Sequence, residues 1–169
     1  MADHLLTGIL LVGGASERFG SPKALARLDG RTLAEIGWET LAFCDERIAV
    51  GKKADGLELP FPISDDGTDV RAPIAGVIAG LRAAANERCL VVPVDMPRLD
   101  RAALLALAEA AADVAIPQTG PLPGAYRRAV LPELERRLAA GELSLRGLEA
   151  RVVMLPPELL VNVNTPEDL

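Results

Sequence analysis

Two short stretches of this 169-residue chain, LLTGILLV at residues 5–12 and CLVVPV at residues 89–94, are apolar almost without interruption. A continuous apolar run of this length, bounded by turn formers, is a strand buried inside a sheet. Neither run approaches the roughly 20 residues needed to span a bilayer. Helical patterns fall between and after them. Thr32 caps a helix over residues 33–43, with Glu35 completing a capping box. Further helices are expected over residues 74–86, 101–112 (capped by Asp100), 131–140 and 145–150 (capped by Ser144). Shorter strands are expected at 47–50, near 62–64, at 114–116 and at 124–128, with 152–155 as a last core strand and 161–163 pairing at an edge. Strands alternating with helices predict an α/β fold around a mostly parallel central sheet. The length fits a single domain over residues 1–169.

In such sheets ligands bind outside the carboxyl ends of the strands. The first apolar run delivers the loop GGASERFGSPK, residues 13–23. It fits neither the Walker pattern nor the dinucleotide fingerprint. Its surroundings are locally basic, with Arg18, Lys23, Arg27 and Arg31 against Glu17 and Asp29, on a chain whose formal net charge is −6. That combination suits a small anion. Gly13 and Gly14 let backbone N–H groups approach it. Arg18 can grip a phosphate as a fork, and Lys23 adds a mobile charge. The second run delivers Asp95, a hard oxygen ligand suited to Mg²⁺. With both strands central and parallel, the loop and the carboxylate share one crevice, which suits transfer at phosphorus. No protein nucleophile is evident, so a substrate oxygen is the expected attacker. Taken singly, each feature has a plainer reading: Gly13-Gly14 as a turn, Asp95 as a helix-entry turn, Lys23 as a surface lysine. Gly76 and Gly80 share one helix face, which plain helix–sheet packing would explain.

Other chemistries find little support. The acidic balance and only five aromatic residues argue against nucleic-acid and anionic-membrane binding. Cys44 and Cys89 form no metal or redox pair and read as reduced core residues. His4, the single histidine, sits at the terminus, which leaves no Ser-His-Asp site. No signal peptide or membrane span is recognisable, and a cytoplasmic location is expected.

The ordered blocks Leu11-Val12-Gly13-Gly14-Ala15-Ser16-Glu17-Arg18-Phe19-Gly20-Ser21-Pro22-Lys23, Asp69 ahead of Ala72-Pro73-Ile74-Ala75-Gly76, and Pro93-Val94-Asp95-Met96-Pro97-Arg98-Leu99 span much of the chain. So do LPGAYRR at residues 122–128 and NVNTPEDL at residues 162–169. In this order they resemble the MobA-like nucleotidyltransferases, nearest to those that join GMP from GTP to molybdopterin. The resemblance implies a three-layer Rossmann-like nucleotidyltransferase fold, with an N-terminal nucleotide-binding part and a C-terminal acceptor-binding part. It implies GTP and molybdopterin, or molybdenum cofactor, as substrates, with other cofactor-biosynthesis or molybdoenzyme-chaperone proteins as further partners. Leu11, Gly13, Gly14, Arg18, Lys23, Asp69 and Gly76 would bind the nucleotide. Gly13, Gly14 and Asp69 would help form the guanine site. Arg18, Lys23 and Asp95 would be catalytic, Asp95 as the Mg²⁺ ligand. Asn162 and Asn164 would lie on the molybdopterin side. Val12 replaces the family's alanine beside the nucleotide, Phe19 its methionine, and Ala72 a glycine ahead of Pro73. Cytidylyl transfer, another phosphate acceptor, and a non-catalytic nucleotide-binding module are the competing readings.

Overall fold

Strand β1 (Leu6–Leu11) lies inside a seven-stranded sheet in the computed structural model, which describes residues 5–13, 15–16, 21–110 and 112–169. The others are β2 (Glu46–Gly51), β3 (Ile63–Asp65), β4 (Arg88–Pro93), β5 (Val114–Pro117), β6 (Gly124–Arg127) and β7 (Arg151–Val153). Their spatial order is β7-β5-β6-β4-β1-β2-β3. All neighbouring pairs are parallel except those of β6, which runs antiparallel between β4 and β5. This is the mostly parallel sheet expected from the alternation of strands and helices.

Helices α1 (Leu33–Thr40) and α3 (Arg101–Ala108) cover one face, and α2 (Pro73–Ala83) and α4 (Leu131–Ala139) the other. Successive residues of a strand point to opposite faces. Leu6 and Leu10 accordingly join Leu90, Val92, Leu33 and Leu104 on the α1/α3 side. Ile9 and Leu11 join Val91, Ile74, Ile78 and Leu134 on the α2/α4 side. Burial on both faces is why these strands carry no polar alternation. Three helix glycines bring backbone onto β1. A Cβ on Gly37 would lie 2.6 Å from Leu10, one on Gly76 2.8 Å from Leu11, and one on Gly80 2.6 Å from Ile9. The packing reading of Gly76 and Gly80 therefore holds for both.

Local signals set most helix starts. Thr32 Oγ1 accepts the Glu35 N–H at 3.1 Å, and Asp100 Oδ1 accepts that of Ala103 at 2.9 Å. Helix α1 ends at Thr40, short of residue 43, because the chain turns there to press Leu41 and Cys44 over Gly8. Helices α2 and α3 likewise stop at Ala83 and Ala108, short of residues 86 and 112.

Three C-terminal expectations are corrected. Residues 145–150 form no helix: Ser144 Oγ accepts the Arg146 N–H in a local turn, and Gly147 takes φ +85°. The Arg137 guanidinium also donates to the carbonyls of Ser144 and Arg146, which a helix would have used internally. Strand β7 is an edge of the sheet rather than part of its core, and Val152 is 57% exposed. Residues 161–163 form no strand; Val163 is buried and its N–H donates to the Asp95 carbonyl at 2.8 Å.

Candidate active site

A cleft of about 580 Å³ opens over the carboxyl ends of β4, β1, β2 and β3, within the size range of small-molecule sites. Leu11 and Gly13 at the end of β1 form its floor. Val12 is absent from the lining. Its buried side chain joins the α1/α3 core, where Gly51 leaves room for it: a Cβ there would come within 3.0 Å of Val12 Cγ2. The valine that replaces the family's alanine is thus accommodated in the core beneath Gly51.

Lys23 opens a 3₁₀ turn, Lys23–Leu25, anchored by the buried Ala24. The Leu33 N–H, donating to the Ala26 carbonyl at 2.8 Å, ties that turn to α1. Lys23 Nζ thereby stands 3.7 Å from Asp95 Oδ2. Asp95 follows β4 in a turn whose neighbours Val94 and Met96 are buried. Burial pushes its carboxyl above the usual carboxylate value, and the Lys23 charge draws it partly back. The expected meeting of a lysine and a carboxylate across β1 and β4 is present. Gly14 and Arg18, the remaining members of the expected phosphate loop, lie outside the described residues, as does Phe19.

The N-terminus of α2 faces the same cleft through Ala72, Pro73 and Gly76. Its positive dipole end favours anions. Ala72 has φ −146° and ψ 150°, an extended conformation open to any residue, so the family's glycine is not required for backbone shape here. Asp69 is exposed and outside the lining.

The sequence reading missed the β2/β3 end of the cleft. Lys52 donates to Asp66 Oδ1 at 3.0 Å, to Asp66 Oδ2 at 2.8 Å and to the Thr68 carbonyl at 2.5 Å. Arg71 donates to Asp55 Oδ1 at 2.9 Å. All four charged residues line the cleft. Lys52 immediately follows a buried parallel strand, the same signal that identified Asp95. Leu122 closes the opposite side. Because β6 is antiparallel, the loop entering that strand, rather than one leaving it, reaches the ligand end. Tyr126 steadies this loop, its hydroxyl donating to the Pro121 carbonyl at 2.6 Å.

Asn162 and Asn164 are exposed and outside the lining, on the tail that Val163 fastens to Asp95. The Asp168 carboxylate accepts the N–H groups of Asn164 and Thr165, which hold it below its usual value; the Lys23 charge acts in the same direction. Cys44 and Cys89 are unpaired, and burial pushes both thiols up to about 12. Thiols raised in this way are weak nucleophiles. Among the described residues no helix is long and apolar enough to cross a membrane.

Comparison with known proteins bears on the family and the fold. Residues 8–154 match the MobA-like NTP transferase domain. A molybdenum cofactor guanylyltransferase of Pseudomonas fluorescens is 33% identical, over 94% of this chain and 89% of that protein. One of Desulfosudis oleivorans is 31% identical, over 97% and 92%. The crystal structure of molybdopterin-guanine dinucleotide biosynthesis protein A from Archaeoglobus fulgidus superposes with a TM-score of 0.81 at 26% identity, covering 96% of this chain and 94% of that one.

Proposed function

Because this chain belongs to the MobA-like NTP transferase family, we propose that it transfers GMP from GTP to molybdopterin, forming the guanine dinucleotide cofactor and releasing pyrophosphate. The observation that carries this reading is the Lys23–Asp95 pair, set across the ends of two adjacent parallel strands in a nucleotide-sized cleft.

The terminal phosphate oxygen of molybdopterin attacks the α-phosphorus of GTP. A new P–O bond forms as the bond to the β-phosphate breaks, and pyrophosphate leaves. Lys23, held at 3.7 Å from Asp95, keeps N–H groups available for the phosphate oxygens on which charge builds. Arg18 is assigned the same task from sequence alone. The α2 N-terminus adds a fixed positive field. Asn162 and Asn164 belong to the acceptor side of this proposal.

Asp95 fits a Mg²⁺ site of a particular kind. Among the described residues there is no cluster of three or more metal-ligating side chains. One carboxylate completed by phosphate oxygens and waters is the usual arrangement for Mg²⁺ with a nucleotide. Bound there, the ion would neutralise charge on the triphosphate. The same reading places the reaction in the cytoplasm, where the unpaired Cys44 and Cys89 would stay reduced.

Calorimetric titration with the Mg²⁺ salts of GTP, CTP, ATP and UTP, repeated on Asp95→Ala, is the first test. GTP preference that weakens in the variant, followed by pyrophosphate release when molybdopterin is added, is the expected result. A preference for CTP would move the protein to cytidylyl transfer. Nucleotide binding without pyrophosphate release would make it a non-catalytic module.

A further inference from the structure

The cleft crosses four neighbouring strand ends in the order β4-β1-β2-β3. Strand spacing of about 4.8 Å makes this a span of about 14 Å. With the reacting phosphate at Lys23 and Asp95, the base of an extended nucleotide falls at the β2/β3 end. The polar groups there differ in what they have left to offer. Lys52 has spent its three donors on Asp66 and Thr68. Asp66 accepts Lys52 on both oxygens and the Thr68 N–H on one.

Asp55 is less engaged. It sits on the 3₁₀ turn Lys53–Asp55 beyond β2, with its side chain 19% exposed. Only Arg71 reaches its carboxylate among the described residues, at Oδ1. A carboxylate has capacity for about four acceptor contacts, and a guanidinium offers about five donors, of which this pair uses one of each. Asp55 and Arg71 therefore present an acceptor group directly beside a donor group.

We propose that the Asp55–Arg71 pair reads the guanine edge, with Asp55 accepting from N1–H and the N2 amino group and Arg71 donating to O6. The proposal rests on the guanylyl-transfer reading and locates base selection at a pair that the family resemblance did not single out. Adenine and cytosine would set a ring-nitrogen acceptor against the carboxylate. Uracil offers one N–H between two carbonyls. Selection thus combines attraction to guanine with repulsion of its competitors.

The test is calorimetry on the full chain with GTP, ITP, ATP and CTP, each with Mg²⁺, for the unaltered protein, Asp55→Asn and Asp69→Asn. ITP lacks the N2 amino group. The unaltered protein should favour GTP over ITP by about tenfold or more, and Asp55→Asn should lose GTP affinity by about tenfold to a hundredfold. In that variant the GTP/ITP ratio should fall toward one while ATP binding holds or rises, which also certifies that the variant is folded. An unaltered GTP/ITP ratio in Asp55→Asn overturns the inference alone. A loss of that ratio in Asp69→Asn instead would return base reading to Asp69. If the unaltered protein shows no preference for GTP, the guanylyl-transfer reading falls as well.

Discussion

Two lysine–aspartate pairs face the same cleft, and they differ in how much of their bonding capacity is spent. Lys52 and Asp66 meet at 2.8 and 3.0 Å, with the Thr68 carbonyl completing the ammonium's set of acceptors. Their side chains are only 11% and 8% exposed. Lys23 and Asp95 stand 3.7 Å apart, attracted but beyond hydrogen-bond length. The first pair is a latch: it joins the end of β2 to the β3–α2 loop and shapes the wall from which Asp55 and Arg71 project. The second is held open, with a lysine and a partly desolvated carboxylate both able to take ligand atoms. Identical residue types thus serve structure at one end and proposed chemistry at the other, and the distinction lies in the partners.

Breaking each pair should give opposite signatures. Lys23→Ala is expected to cut pyrophosphate release by about a thousandfold, the scale of losing a charge-stabilising donor, with little change in melting temperature. Near-normal turnover would remove Lys23 from the chemistry. Lys52→Ala should instead cost about 3–5 kcal/mol of stability in urea denaturation, because it strands Asp66 as a buried unpaired charge. Replacing both partners by Met and Leu should recover much of that loss; an unshifted midpoint in Lys52→Ala would show that the latch contributes nothing.

A smaller effect depends on pH at Asp95. Burial raises the Asp95 carboxyl above its ordinary value in the folded protein. Between the ordinary and the raised values the folded state holds more protons than the unfolded state, so stability falls as pH rises through that window. Binding that needs the ionised carboxylate changes in the other direction, weakening as pH falls through the raised value. Mg²⁺–nucleotide titrations from pH 7 downward should show this loss, and Asp95→Asn should flatten the slope, leaving only the part that belongs to the nucleotide's own phosphates.

The parts of this arrangement that could be read from sequence share one property: their partners are local or generic. Continuous apolar runs have one home, a strand covered on both faces, so β1 and β4 were legible. Thr32 and Asp100 could be identified as caps because each cap bonds within three residues of itself. Lys23 and Asp95 stood out because each follows such a strand. Lys52 and Asp66 are 14 residues apart, Asp55 and Arg71 16, across a connection rich in turn formers, and only the folded loop brings them together. The helix expected at residues 145–150 failed for a related reason. Its spacing is helical, but Arg137 takes the carbonyls of Ser144 and Arg146 from outside the segment. Hydrophobicity alone could not distinguish the edge position of β7 from a core one.

The backbone of Asp95 is engaged as well as its side chain: its carbonyl accepts the Val163 N–H at 2.8 Å, which clasps the C-terminal tail to the end of β4. By thermodynamic reciprocity, whatever steadies Asp95 on ligand arrival also steadies that tail, and whatever grips the tail in turn favours the ligand-ready position of Asp95. Hydrogen–deuterium exchange at the Val163 amide is therefore expected to slow when Mg²⁺–nucleotide fills the cleft; an unchanged rate would show that the tail and the cleft are uncoupled.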